Sequence, residues 1–313
     1  MEIFYNLDHP LGLASPAVLT IGNFDGIHLG HRALFDRMAA IANAAGSPKG
    51  IITFENHPAE VLRPETPVCL LSTLQHKIQL IQELKIDFLV LLKFTRDFAS
   101  QTPEDFLNKV RAALPFNYLI LGYDATLGKN KSGDRERVKS CLQAWGAMVE
   151  YIPPFKIGSQ LVSSSAIRDH IRRGELKLAS DMLGRPFSIL ATVIPGLSKG
   201  KQMGFPTLNI DPAGVCLPPL GVYAIQIKYQ GKLWKGVANL GMAPTIRQDK
   251  KTLLEVHLFD FEGDLYGANV EIIFHQYLRQ EKSFSDIKQL QEQIQKDIGT
   301  ARGFFNAYHS YCF

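Results

Sequence analysis

The spacing of apolar residues changes near residue 187, and this change constrains the fold more than any other feature of the sequence. Before that point, short apolar runs alternate with amphipathic, helix-like segments; after it, apolar runs follow one another across short turns. The first pattern indicates a parallel sheet covered by helices on both faces, and the second an antiparallel barrel or sandwich. We therefore predict two domains, residues 1–182 and 183–313, which suits a chain of 313 residues.

Strands and helices of the first half can be assigned from apolar runs and start signals. Helices are expected after Ser72 and after Thr102, because Thr102 is followed by Pro103 at the first helical position and by Asp105 three residues on. The predicted strands are residues 17–24, 50–54, 87–94, 118–123 and 148–153. Together they predict a Rossmann-like, doubly wound α/β domain.

The second half contains five further strand candidates and one helix. Short turns separate some of the strands, as at QG, residues 230–231. The strand candidates are residues 187–196, 221–229, 233–241, 253–261 and 269–278, and the apolar stripe of the terminal helix is Phe284, Ile287, Leu290, Ile294 and Ile298.

Charge and composition exclude several classes of function. The net charge of +4 allows anionic ligands, but the Lys and Arg residues form no dense block, so no nucleic-acid partner is expected. The chain has no apolar run long enough for a membrane helix and no signal-peptide pattern at its start. Its four cysteines are scattered, as in reduced, cytosolic proteins. We expect a cytoplasmic protein, monomeric or weakly homo-oligomeric, without a membrane partner.

The stretch IGNFDGIHLGHRAL, residues 21–34, follows an apolar strand and enters a helix. A helix N-terminus at the edge of a parallel sheet offers unpaired N–H groups and a partial positive charge, which suits phosphate. Three glycines allow close approach of the backbone. His28 and His31 share a helix face and would donate to phosphate oxygens. Alternatives are a structural histidine pair or a zinc site, the latter weaker because no third ligand has suitable spacing; Asp25 is either a turn residue or a substrate contact.

A second polar cluster, VSSSAIRDHI at residues 162–171, precedes another predicted helix. Ser164 and Ser165 offer hydroxyl and backbone donors, and Arg168 offers a planar fork for phosphate. A simple serine cap beside a solvated arginine is the alternative.

The second half contains a glycine-rich turn followed by PTLN. Lys199 directly precedes GKQMGFPTLNI, residues 200–210, and Lys201 lies within it, so positive charge and two glycines come together in a turn that suits phosphate. Thr207 and Asn209 alternate on an extended segment, so their oxygens would face a common point and suit Mg²⁺ held jointly with ATP. On the strand LLEVHLFDF, the carboxylate of Glu255 is a candidate site group. A plain strand start and an exposed edge glutamate are the alternatives.

These motifs together resemble a known family. The string G-x-F-D-G-x-H-x-G-H resembles the signature of the HIGH nucleotidyltransferases, and with ITFENHP (52–58) and LGRPF (183–187) the first half resembles the FMN adenylyltransferase domain of bacterial bifunctional FAD synthetases. GVYA (221–224), GVANLGMAPT (236–245) and LLEVHLFDFEGDLYG (253–267) resemble riboflavin kinase. The resemblance implies an antiparallel β-barrel with a terminal helix in the second half.

The resemblance also implies roles for individual residues. The catalytic residues would be Glu255, His28, His31 and Arg168, with Glu255 as the general base that removes the proton of the alcohol that is phosphorylated. The nucleotide-binding residues would be Gly22, Asn23, Phe24, Gly26, Gly30, Ser164, Ser165, Lys199, Gly200, Gly204, Thr207 and Asn209. Thr207 and Asn209 would also bind the metal ion, and the flavin-binding residues would be Asp124 and Arg279.

The implied function is synthesis of FAD from riboflavin. One step would phosphorylate riboflavin to FMN and the other would adenylylate FMN with release of pyrophosphate, both with ATP and Mg²⁺. One departure from the family is Thr126–Leu127, where the family has aromatic residues. The alternatives are adenylylation of another phosphorylated metabolite, against which the second domain argues, and a non-catalytic flavin-binding module, against which the intact motifs argue.

Overall fold

A computed structural model describes residues 1–129, 132–195, 204–212, 214–244 and 250–309. The chain divides into two compact units, Met1–Leu70 with Leu74–Ser164 and Leu71–Thr73 with Ser165–Phe313. This division falls at Ser164, inside a helix, and the domain boundary at residues 182/183 stays a prediction.

The first unit contains a six-stranded sheet in which every neighbouring pair of strands is parallel. Its strands are β1 (Glu2–Phe4), β2 (Ala17–Ile21), β3 (Lys49–Phe54), β4 (Phe88–Leu92), β5 (Phe116–Gly122) and β6 (Met148–Ile152). Their order across the sheet is β1-β4-β3-β2-β5-β6. The order reverses between β2 and β5, and ligands of such sheets bind beyond the carboxyl ends of the strands at this point.

Helices cover both faces of this sheet. They are α1 (Leu29–Ala45), α2 (Pro58–Leu62), α3 (Leu74–Gln82), α4 (Arg96–Ala99), α5 (Pro103–Ala113) and α6 (Arg135–Gln143). Val18 and Leu19, neighbours on β2, belong to different core clusters because successive residues of a strand point to opposite faces. One cluster takes residues from α5 and α6, and the other from α1 and α3. The predicted doubly wound sheet is confirmed.

Local sequence signals set several element boundaries in this unit. Thr102 and Asp105 form the reciprocal capping box expected at the start of α5, and Pro103 is the first helical residue. Three strands had no prediction: β1 and the short antiparallel pair β7 (Lys156–Ile157) and β8 (Gln160–Leu161). They are too short to show a periodic pattern.

The second unit contains a closed antiparallel barrel, which decides between the barrel and the sandwich. Its strands are β9 (Ser188–Ile194), β10 (Leu208–Ile210), β11 (Gly221–Tyr229), β12 (Lys232–Pro244), β13 (Lys250–Leu258) and β14 (Asn269–Arg279), ordered β10-β13-β12-β11-β14-β9. The helices that precede and follow it are α7 (Ser164–Arg172), α8 (Leu176–Leu183) and α9 (Ile287–His309). Gln230 and Gly231 form the predicted hairpin turn, both with positive φ.

Helix α9 packs against the barrel through Ala301 and Phe305, which share a buried cluster with Phe259. The predicted helical stripe is wrong at its start, because the helix begins at Ile287 and leaves Phe284 outside it. The Asp286 carboxylate accepts a hydrogen bond from the Gln289 N–H at 2.9 Å, which caps the helix at this point. Ile287 is 66% exposed and so does not belong to the buried stripe.

A largely buried ion pair joins β14 to α9. The Arg279 Nε and Nη2 atoms donate to the two oxygens of Asp297 at 2.9 and 2.7 Å, and the side chains are 17% and 8% exposed. Nη1 donates to the carbonyl of Gln280 at 2.8 Å. The resemblance predicts a flavin contact for Arg279; in the structure its guanidinium anchors the terminal helix, and flavin contact stays a prediction.

Replacing Asp297 with asparagine is expected to lower the free energy of unfolding of the second unit by about 3 kcal/mol, because the buried Arg279 loses its charge partner. The Arg302–Asp260 pair joins the same helix to the barrel, but its side chains are 49% and 77% exposed. D260N, the matched control, should therefore cost less than about 1 kcal/mol. Urea unfolding followed by circular dichroism measures both variants; equal losses would contradict this account.

No helix within the described ranges is both long enough and apolar enough to cross a membrane.

Candidate active sites

The loop between β2 and α1 leaves the sheet where the strand order reverses. Phe24, Gly26 and Ile27 have φ values of 50°, 83° and 43°, so two non-glycine residues adopt the left-handed conformation. Such residues cost roughly 1–3 kcal/mol each and persist only where surrounding contacts hold them. Phe24 is 3% exposed and Ile27 is fully buried, so packing provides those contacts. The predicted strand over residues 17–24 therefore ends early, at Ile21.

Two glycines of the motif lie close against aromatic rings. A Cβ atom at Gly22 would lie 2.7 Å from the Phe24 ring, and one at Gly30 would lie 3.2 Å from the His28 ring. The Phe24 ring also packs edge-on against His31, with centroids 5.2 Å apart. The resemblance predicts that Phe24 binds nucleotide; in the structure its side chain packs against His31, and nucleotide contact stays a prediction.

His28 and His31 are stacked, with ring centroids 3.5 Å apart and an interplanar angle of 18°. His28 caps α1, its Nδ1 accepting from the His31 N–H at 3.3 Å, so a neutral His28 carries its proton on Nε2. Burial, the neighbouring His28 and the charge of Lys77 lower the pKa of His31 well below 6.5. His31 is therefore neutral at physiological pH and supplies one N–H donor. The predicted histidine pair is thus formed at a helix N-terminus.

The second serine motif contacts this loop through its first serine. Ser164 Oγ donates to the carbonyl of Asp25 at 2.9 Å, which links residues far apart in the sequence. Asp25 itself is 4% exposed. Ser165 and Arg168 follow on α7; Ser165 is exposed, and Arg168 is 9% exposed. Their contact with nucleotide stays a prediction.

Asp124 follows the carboxyl end of β5, the strand beside β2, and is exposed. The position fits the predicted ligand edge. Leu127 is 9% exposed, belongs to the core, and exchanges backbone hydrogen bonds with Gly133. At the Thr126–Leu127 departure, the Leu127 side chain therefore belongs to the core, whereas Thr126 is exposed.

In the barrel, three polar residues lie side by side on neighbouring strands. Glu255 on β13 pairs with Asn209 on β10 and with Asn239 on β12. Directly paired residues project to the same face of a sheet. Leu254 and Val256 are fully buried on the opposite face, as the alternation predicts. Asn209 is 7% exposed and Glu255 is exposed, so these three residues, called the Glu255 row below, include one accessible carboxylate.

The segment before β10 is held by a histidine of β13. His257 Nδ1 lies 2.9 Å from the carbonyl of Pro206 and donates to it, and its ring packs edge-on against Phe205. Thr207 follows directly, one residue before β10. Gly204 has φ of +84° and provides a sharp turn. Lys199 and Gly200 lie outside the described residues.

Two residues near these sites, Asn239 and Lys77, had no predicted role. Asn239 lies next to Glu255, and its Nδ2 donates to Glu281 Oε1 at 3.3 Å; only strand register could reveal this. Lys77 is 6% exposed and donates to the carbonyls of Asn23 and Phe54. A signal for Lys77 existed, since it lies on the same helical face as Leu80 and Ile81.

Comparisons with known proteins agree with this two-site arrangement. A family model described as FAD synthetase matches residues 12–166, and one described as riboflavin kinase matches residues 183–305. The bifunctional riboflavin kinase/FMN adenylyltransferase of Haemophilus influenzae is 35% identical over 309 residues, covering 98% of this chain and all of that protein. The chain belongs to this bifunctional family. The enzyme of the same description from Bacillus subtilis is 35% identical and covers 93% of each chain. The predicted family and enzyme class are confirmed.

A solved structure gives independent support for the fold. It is described as a macrolide-efflux protein from Streptococcus pneumoniae, and it matches with a TM-score of 0.85 and 28% identity over 96% of this chain and 98% of its own. The combination of a Rossmann-like sheet with a closed barrel and a terminal helix is confirmed. The Haemophilus influenzae and Bacillus subtilis proteins are more similar to this chain in sequence, and both are described as bifunctional riboflavin kinase/FMN adenylyltransferases.

Proposed function

We propose that this enzyme makes FAD from riboflavin in two steps at two separate sites. The barrel transfers the γ-phosphoryl group of ATP to riboflavin, giving FMN and ADP. The first domain then joins FMN to the AMP part of a second ATP and releases pyrophosphate. The observation that supports the proposal most strongly is that one chain contains both a stacked histidine pair at a helix N-terminus and a Glu255 row on a barrel.

In the first domain, the phosphate of FMN attacks the α-phosphorus of ATP, and the bond to pyrophosphate breaks. Negative charge grows on the phosphoryl oxygens during this exchange, so preorganised N–H donors lower the barrier. His28 and neutral His31 donate ring N–H groups, and the amides at the start of α1 add the helix dipole. Ser164, Ser165 and Arg168 contribute further donors, and Asp124 contacts the flavin. No covalent enzyme intermediate is needed.

In the barrel, Glu255 accepts the proton of the terminal hydroxyl of riboflavin as that oxygen attacks the γ-phosphorus of ATP. An exposed carboxylate beside a buried amide suits this role, because the base is accessible while Asn209 is held in place. His257 acts indirectly by fixing the backbone at Pro206. Lys199, Gly200 and Gly204 bind the phosphates of ATP.

Mg²⁺ suits the oxygen atoms available in the barrel. Asn209 is a buried amide in direct register with the Glu255 carboxylate, and the hydroxyl-bearing Thr207 lies two residues earlier. Neutral and anionic oxygens are the ligands this ion prefers, usually shared with ATP phosphates. We therefore assign Thr207 and Asn209 as its protein ligands; when bound, the ion neutralises phosphate charge.

The remaining assignments concern the setting of the enzyme. Domains of residues 1–182 and 183–313 agree with the two family matches, which leave residues 167–182 between them. The scattered cysteines and mild charge support a cytoplasmic protein that binds small molecules, acts as a monomer or weak homo-oligomer, and has no nucleic-acid or membrane partner.

Incubation with riboflavin, ATP and Mg²⁺ under anaerobic conditions tests the proposal, with riboflavin, FMN and FAD resolved by chromatography over time. FMN should appear first and FAD after a lag, and chelation of the metal with EDTA should stop both. FMN without FAD would contradict the role of the first domain. Failure to form FMN would contradict the role of the barrel.

A further inference from the structure

Lys77 is a buried cation with no role in the function described so far. It lies on α3 and its side chain is 6% exposed. Its Nζ donates to the carbonyl of Phe54 at 2.7 Å and to that of Asn23 at 3.2 Å, and Thr53 Oγ1 lies within 3.5 Å. Phe54 ends β3, and Asn23 follows the end of β2. One ammonium group therefore ties together the carboxyl ends of two neighbouring strands.

These hydrogen bonds act at the start of the loop that carries the histidines, where the backbone becomes strained. Asn23 directly precedes Phe24, the first of the three residues with positive φ. Its carbonyl accepts from Lys77 and also from Thr53 Oγ1 at 3.1 Å. A strained backbone conformation persists only where several surrounding contacts hold it in place. Loss of the ammonium would release the segment between β2 and α1 and with it the orientation of His28 and His31.

The charge of Lys77 also interacts with ionisable groups in and around the loop. Within the first unit the ionisable groups acting on it are Asp25 of the loop, Glu60 of α2 and His31 of α1. Burial lowers the pKa of Lys77 to about 8, against the opposing attraction of Asp25 and Glu60. The positive charge in turn contributes to the low pKa of His31.

We propose that Lys77 is a positioning residue for adenylyl transfer, which fixes the backbone of Asn23 and places a positive charge beside His31. The inference rests on the proposed function of this loop. Lys77 acts through the loop and the histidine, and it need not touch either substrate.

Three variants separate the hydrogen bonds from the charge. K77M removes both, K77R keeps the charge, and T53V removes only the hydroxyl that shares the Asn23 carbonyl. We expect K77M to lower kcat/KM for FMN adenylylation about 30-fold, because small displacements of groups that orient phosphates are costly. T53V should lower the same kcat/KM much less and should keep the wild-type pH profile. Riboflavin phosphorylation by the same preparation is the internal control and should be unchanged.

The pH profile distinguishes positioning from a purely structural role. As Lys77 loses its proton above pH about 8, FAD formation by the wild type should fall, while riboflavin phosphorylation should not follow that fall. K77R stays charged, so its FAD formation should persist to higher pH than that of the wild type.

Two results would overturn the proposal. If the wild type makes FAD and K77M matches it in rate, the positioning role is wrong. If K77M fails to fold, the K77R profile decides, and an alkaline fall identical to that of the wild type would remove the role of the charge. A wild type that makes FMN but never FAD would instead overturn the proposed adenylyl transfer, and the role of Lys77 with it.

Discussion

Replacing His31 with asparagine is expected to slow FAD formation from FMN severely and to leave FMN formation from riboflavin unchanged. The loss should be about 10³-fold in kcat, because the variant removes an N–H donor aimed at charge that develops on the transferring phosphoryl group. Asparagine keeps a polar side chain but cannot stack on His28, whose ring lies 3.5 Å away. Initial rates of FMN adenylylation and riboflavin phosphorylation, measured on one preparation, give the comparison.

His9 provides the matched control for this variant. It is an exposed histidine of the same unit, outside the loop between β2 and α1. H9N should retain both activities at the wild-type level. An H31N variant that still adenylylates FMN at a rate close to that of H9N would show that the stacked pair does not carry the transfer.

Replacing Glu255 with glutamine is expected to impair riboflavin phosphorylation and to spare FMN adenylylation, the reverse of the effect of H31N. Riboflavin phosphorylation should fall about 10³-fold, because the amide has the shape of the carboxylate but cannot accept the proton of the substrate hydroxyl. FMN adenylylation should persist. The variant preserves the strand pairing with Asn209 and Asn239, which depends on the backbone. Chromatographic assays with riboflavin and with FMN as separate starting substrates measure the two steps.

Two other glutamates provide controls for E255Q. Glu262 is exposed in the same unit and E262Q should be inert. Glu281 accepts a hydrogen bond from Asn239, so it is a second carboxylate joined to the Glu255 row. A loss of phosphorylation in E281Q together with an active E255Q would move the base to Glu281 and contradict the assignment.

The two-domain fold could be predicted because its signals are local. Alternating strands and helices produced the doubly wound sheet, and Thr102 with Asp105 marked the start of α5. The terminal helix shows that apolar periodicity alone does not fix where a helix begins. Phe284 continues the apolar period, yet the Asp286 cap stops the helix before it. A capping hydrogen bond outweighed periodicity there.

The sites could be predicted in part, from residues that lie close together in the sequence. His28 and His31 are an example, since helical spacing alone brings them together. Asn239 could not be found this way, because its position beside Glu255 depends on the register between β12 and β13. Arg279 shows the converse: its position just before the terminal helix suggested a flavin contact, whereas its ion pair with Asp297 joins two elements and could not be predicted.

The most direct test of two independent sites in one chain is to mix the two defective variants. H31N alone should convert riboflavin to FMN only, and E255Q alone should leave riboflavin unchanged. The mixture should convert riboflavin to FAD, with free FMN passing from one protein to the other. If E255Q cannot adenylylate added FMN, or if the mixture accumulates FMN without FAD, the two activities do not belong to separate sites and the account is wrong.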